Sequence, residues 1–247
     1  GMEVGTGLVW EQATQPRNIP KIVFINMLDR DNSSFEEAFN SVKDQYGKKV
    51  FPLQLPINEG EGFNQIADVL RKELFTFDNN GSGDYKESNL KGEWVDKLEK
   101  LHNELIEFIA ESDDELMETF FEQGKLTEEQ LRKGLHKAIL SGGLIPVFCV
   151  SGKRNIGVKR AMDILAKYAP CAADNSLIKG KIPVSDEEVV FKLPSNTSRS
   201  ALVFKTISEA HIGELSFFRV FSGEIKSGDE LLNSTRNNRE KIRQLFL

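Results

Sequence analysis

The sequence predicts an α/β body over residues 1–168, a connector over 169–198 and the start of an all-β unit over 199–247. Three observations carry that prediction. Two short apolar runs, Lys21-Ile22-Val23-Phe24-Ile25 and Leu144-Ile145-Pro146-Val147-Phe148-Cys149-Val150, are rich in β-branched residues and read as buried parallel strands. Around them, apolar residues recur at three- and four-residue steps, the helical period. Past residue 199 the runs Ala201-Leu202-Val203-Phe204-Lys205, Gly213 to Phe221 and Glu240 to Phe246 are β-rich and punctuated by Ser222-Gly223 and Ser227-Gly228-Asp229.

In chain order, Leu8, Val9, Trp10 and Ala13 give the last turns of an amphipathic helix that ends before Pro16. After the first strand, Ser33 or Ser34 caps a helix with Phe35, Ala38, Phe39 and Val42 on its apolar face and Gly47 as its stop. Residues 49–57 alternate and carry Pro52 and Pro56, which suits an edge strand. Residues 78–92 are rich in Asn, Gly and Ser and read as a surface loop. Leu98, Leu101, Leu105 and Ile109 predict a long helix from Trp94 to about Glu111. Asp113-Asp114-Glu115 lacks the spacing of a calcium loop and fits an N-cap with acidic first turn. Thr127 and Gln130 have capping-box spacing for a helix that stops at Gly142-Gly143. After the second strand, a helix over 157–168 turns Val158, Ala161, Met162 and Leu165 inward, and 169–198 is broken by Pro and Gly into a connection between domains.

Composition excludes several classes. A net charge of −6 argues against general nucleic-acid coating, DNA included. The apolar runs fall far short of the roughly 20 residues that cross a bilayer. Cys149 and Cys171 suggest neither a pair nor a metal site, so a reducing cytoplasm is the expected setting. His102, His136 and His211 share no ligand spacing, and no metal site is expected.

The chemistry lies at the two strand ends, where α/β sheets place their ligands. Asn26-Met27-Leu28-Asp29 follows the first strand and resembles the N-K-x-D motif of P-loop GTPases. Guanine presents two adjacent donors, its ring N1–H and its amine, and the Asp29 carboxylate can accept both as a charge-assisted pair. Adenine would leave that carboxylate unpaired, a mismatch that such sites reject by about 10⁴-fold. Ser151-Gly152-Lys153 follows the second strand and resembles the S-A-x loop of the same proteins, with Ser151 steadying Asp29, the Gly152 amide facing the guanine carbonyl and Asn26 bracing the loop or reaching N7.

Asp29 and Ser151 stand 122 positions apart, far more than in small GTPases, and the intervening residues 48–143 read as an inserted subdomain. Further segments match elongation factor G in family order: residues 25–30, 51–57, 111–118 and 217–223. The chain therefore resembles elongation factor G over nearly its whole length, least over 79–92 and 183–193. The resemblance implies the second half of a P-loop GTPase domain with an inserted α+β subdomain, followed by an incomplete antiparallel β-barrel domain. It implies GTP or GDP as the ligand, with Mg²⁺ in the full-length protein, and the ribosome as partner. The acidic helices of residues 93–129 would meet the ribosomal stalk protein, and Arg236, Arg239, Lys241 and Arg243 would meet ribosomal RNA through salt-sensitive phosphate contacts.

Two departures qualify that expectation. The lysine of the guanine motif is Met27 here, which keeps an apolar stem but no donor. No G-x-x-x-x-G-K-[ST] occurs, so no lysine is in place for the β/γ-phosphates and no Ser/Thr for Mg²⁺; the family carries these upstream. The chain alone is expected not to hydrolyse GTP. The leading expectation is part of a factor that promotes ribosomal translocation. The alternative is a paralogue with weakened or lost hydrolysis that serves as a ribosome-binding module.

Overall fold

The computed structural model describes residues 2–15, 18–111, 113–174, 177–182, 187–192, 199–210 and 213–246, and these divide into two units, residues 1–170 and 171–247. It is a mixed α/β chain with several small sheets.

Unit one opens with α1 (Val4–Thr14), which buries none of its side chains; its main anchor is Trp10, stacked 3.5 Å from the ring of Tyr46. Its described residues end with Gln15, and Pro16 lies outside the described residues. Strand β1 (Val23–Ile25) leads into α2 (Phe35–Tyr46), whose N-terminus is capped by Ser34 accepting from the Glu37 N–H. Gly47, at φ 84°, ends it. Strand β2 (Val50–Pro52) then returns parallel, but not beside β1. The slot between them is filled by β7 (Ile145–Cys149), so the parallel sheet runs β1-β7-β2.

The inserted segment forms its own antiparallel sheet: β3 (Gln54–Pro56), β4 (Gln65–Asp68), β5 (Glu73–Phe77) and β6 (Tyr85–Asn89), in that order. Helices α3 (Glu93–Ala110), α4 (Asp114–Gln123) and α5 (Glu128–Leu140) pack beside it. Leu98, Leu105 and Ile109 of α3 and Leu135 and Ile139 of α5 join a continuous apolar core with β4, β5 and β7. The acids at 113–115 act as read from the sequence, with Asp113 accepting from the Glu115 N–H, and the Thr127–Gln130 capping box forms. Helix α6 (Val158–Tyr168) closes the unit. Gly157 starts it at φ 74°, where a Cβ would sit 2.7 Å from the Cys149 carbonyl oxygen, so only glycine fits that turn.

Among its described residues, unit two holds three antiparallel strand pairs: β8 (Leu177–Lys181) with β9 (Glu188–Lys192), β10 (Ser200–Glu209) with β11 (Gly213–Ser222), and β12 (Glu230–Asn233) with β13 (Asn238–Lys241). Among the described residues they close no barrel.

Four expectations need correction. The run 49–57 is two strands, not one: the chain leaves the parallel sheet at Leu53 and enters the antiparallel one, and β2 and β3 are fully buried although each is an edge. The first strand is not fully buried, because it too is an edge; Phe24 is 40% exposed and covered on one side by the Phe148 ring. The polar stretch 78–92 is not all loop, since Tyr85 packs on Phe75 and Phe77 and carries β6 into the sheet. In α6 the inward face is Ala161, Ile164 and Tyr168, and Met162 points to solvent.

Candidate functional site

The two sequence-predicted loops meet because β1 and β7 are parallel neighbours. Ile25 lies opposite Cys149, so the residues that follow each strand emerge side by side at the carboxyl edge of the sheet. The Val150 N–H donates to the Ile25 carbonyl at 3.0 Å and extends that pairing into the loops.

Asn26 then fastens one loop to the other. Its Oδ1 accepts from the Met27 N–H at 2.7 Å and from the Gly152 N–H at 3.0 Å. Ser151 is fully buried and held by reciprocal backbone bonds with Ile156, both 3.0 Å. Its Oγ accepts from the Arg154 N–H at 3.2 Å, and its hydroxyl bonds the carboxylate of Asp29. That bond holds the Asp29 carboxyl below the usual carboxylate range. Burial opposes it; the Asp29 backbone N–H and the charges of Arg154 and Lys153 reinforce it. The structure thus brings together Asn26, Asp29, Ser151 and Gly152, with the Lys153 side chain exposed on the same loop. The chemical result is an anion with bidentate accepting capacity, held by a hydroxyl and flanked by cations.

The Gly152 N–H, expected to face a ligand carbonyl, is occupied by Asn26. Using it for a ligand requires Asn26 Oδ1 to give way, an exchange of one acceptor for another. Met27 has φ 67°, in the left-handed region that ordinary residues seldom occupy, and the residue is 49% exposed. Its carbonyl accepts from the Arg30 N–H at 3.1 Å and tightens the turn that aims Asp29 back toward Ser151.

A shallow cavity of about 310 Å³ opens on the α2 side of the loop, lined by Asn26, Met27, Arg30, Asn32, Ser34 and Glu37 among others. Asp29 and Ser151 are not in its lining, so it is a feature separate from the carboxylate. Two D-x-x-G tetrapeptides occur, at 44–47 and 78–81, but the first ends α2 and the second turns between β5 and β6. Neither stands at a carboxyl end of the parallel sheet.

Arg154 was not legible as a site residue. Its Nε lies 3.9 Å from Asp29 Oδ2, and its guanidinium also donates to the Glu61 carbonyl. Only the register of the loop after β7 reveals it. His102 and His136 have backbone partners, the Val69 and Tyr168 carbonyls, and His211 lies outside the described residues. No cluster of metal-ligating side chains occurs among the described residues, nor any helix long and apolar enough to cross a membrane. Both cysteines are free, Cys149 buried and Cys171 exposed.

Residues 198–246 match the family model of elongation factor G domain 2. The crystal structure of a protein from Thermus thermophilus is similar at a TM-score of 0.75 and 25% identity, over 94% of this chain and 32% of that one. This chain therefore spans about a third of the length of that relative. The chain is similar to elongation factor G.

Proposed function

We propose that this chain supplies the guanine-reading half of a translational GTPase of the elongation factor G type. The single observation that carries the proposal is Asp29. It is a buried carboxylate held ionised by Ser151, at the carboxyl end of a parallel strand whose neighbour supplies the second loop. Similarity to elongation factor G supports it independently.

In this reading Asp29 accepts the N1–H and the amine of guanine, Ser151 fixes its orientation, and the Gly152 N–H turns from Asn26 to the guanine carbonyl. Asn26 then braces the loop through the Met27 N–H or reaches N7. Lys153 stands exposed on the same loop, available to the ligand. The phosphates of GTP or GDP, and Mg²⁺ with them, would be held by parts outside the residues named here. The parallel sheet belongs to a P-loop GTPase domain, the β3-β4-β5-β6 sheet with α3 to α5 to its inserted subdomain, and residues 199–247 to a β-barrel domain. The full-length protein would act on the ribosome in translocation, with the acidic helices α3 and α4 toward the stalk protein and the exposed Arg236, Arg239, Lys241 and Arg243 toward ribosomal RNA.

Met27 favours a second reading, a paralogue that keeps the ribosome but has weakened hydrolysis. Its thioether cannot make the charged hydrogen bond of the family lysine, which is worth about 1.5–3 kcal/mol, or roughly ten- to a hundred-fold in affinity.

The test of base reading is Asp29→Asn. Xanthine carries a carbonyl where guanine has its amine, so an amide in place of the carboxylate suits xanthine. The variant is expected to lose guanine preference and gain it for xanthosine diphosphate, as followed by NMR titration. Unchanged guanine preference would exclude Asp29 as the reading group.

A further inference from the structure

Three consecutive residues between β3 and β4 bond to the two loops of the candidate site and to the start of α2 beside them. The Glu59 carboxylate accepts from the Phe35 N–H, at 3.1 and 3.3 Å, just beyond the Asn26-Asp29 turn. The Gly60 N–H donates to the Leu28 carbonyl at 2.8 Å, one residue before Asp29. The Glu61 carbonyl accepts from the guanidinium of Arg154, whose Nε lies 3.9 Å from Asp29 Oδ2.

The segment that does this is itself rigidly built. Asn58 Oδ1 accepts from the Asn64 and Gln65 N–H groups at 3.3 and 3.0 Å, and its amide bonds Asn64 Oδ1 at 3.1 Å. Asn58 thereby closes the β3–β4 turn from inside, and Gly60 reaches φ 80° at its tip. A turn that only joined two antiparallel strands would need none of the outward bonds. Each goes to a different part of the neighbouring site: the start of α2, the residue before the carboxylate, and the cation beside it.

We propose that the turn Glu59-Gly60-Glu61 positions the base-reading carboxylate, and that Arg154 is the positioning residue through which it acts. The proposal rests on the guanine reading above and deepens it. Arg154 is tethered at one end by the inserted subdomain and presents its other face to Asp29 Oδ2. The Leu28 carbonyl, fixed by Gly60, sets the direction from which the Asp29 side chain leaves the backbone. Both oxygens of Asp29 must point at two adjacent donors for bidentate pairing, so a small rotation forfeits one of them. The inserted subdomain is then part of the guanine site.

The readout is discrimination between GDP and inosine diphosphate, which keeps N1–H but lacks the amine. A loosely held carboxylate still accepts one donor and loses the second, whereas a general weakening lowers both affinities equally. NMR titration of the 247-residue chain at millimolar nucleotide, in wild type, Arg154→Met and Arg154→Lys, measures that ratio. Wild type is expected to favour GDP by about tenfold or more. Arg154→Met should bring the ratio to near unity, and Arg154→Lys, which retains a cation able to reach the Glu61 carbonyl, should restore most of it. An unchanged ratio in Arg154→Met, or equal loss in Arg154→Lys, would overturn the positioning role while leaving the guanine reading intact. A wild-type chain that shows no preference for GDP would overturn the guanine reading, and the proposal with it.

Discussion

At the scale of single residues, the candidate site turns on Asp29 and Met27. Asp29 sits below the ordinary carboxylate range in the folded chain, chiefly through Ser151. A carboxyl depressed on folding contributes stability that is present above its unfolded value, about 3.9, and is lost as pH falls through the folded value. Asp29→Asn should therefore be less stable than wild type at neutral pH, with the gap narrowing in acid; denaturant titrations at several pH values check this. A gap independent of pH would mean that the carboxylate is not held as an anion. Met27 makes a different point. Half exposed, it matters through its backbone, whose φ of 67° a β-branched residue resists. Met27→Val should be destabilising, and Met27→Asn, which tolerates that region better than methionine, should be neutral to stabilising, as read from thermal or chemical melting. The motif letters of both loops were legible in the sequence; the left-handed turn at Met27 and the occupation of the Gly152 amide by Asn26 were not. They depend on where two loops 126 residues apart come to rest.

At the scale of elements, legibility followed the number of constraints each segment carried by itself. Helices α2, α3 and α5 announced themselves through periodicity and caps, because those signals are local. The split of 49–57 at Leu53 was hidden, since a strand that changes sheets keeps the same apolar texture on both sides of the change. Strand β6 was hidden for the opposite reason: Lys86, Glu87, Ser88 and Asn89 face solvent, and Tyr85 is its main apolar contact. In the helical part of the insert, Gly134 of α5 gives a sharp test. Alanine there would gain about 1 kcal/mol of helix propensity. Its Cβ, however, would lie 2.4 Å from Ile109 Cγ2 and 2.6 Å from Leu116 Cδ1, and Ile109 is fully buried and has little room to move. Overpacking of that kind costs about 1–3 kcal/mol, so the net effect of Gly134→Ala should be destabilising. A rise in melting temperature would contradict this packing of α3, α4 and α5.

At the scale of the whole molecule, burial is unevenly divided between the two units. The apolar core lies within residues 1–170, and among the described residues of 171–247 Ser222 alone is buried. Amide exchange should therefore be slowest in β7, which is paired on both sides, and much faster in β10 and β11. Equal protection in both would contradict that division. The candidate site lies in the first unit, where the parallel sheet brings Asn26-Asp29 and Ser151-Lys153 together and where Gly60 and Glu61 bond Leu28 and Arg154 beside them. Guanine reading is tested most simply by an NMR titration of this chain with GDP and, separately, with ADP. GDP is expected to shift the resonances of residues 26–29 and 151–153, with a dissociation constant weaker than micromolar, and ADP is not. Equal shifts from both nucleotides, or none from GDP at millimolar concentration, would contradict a guanine-reading site.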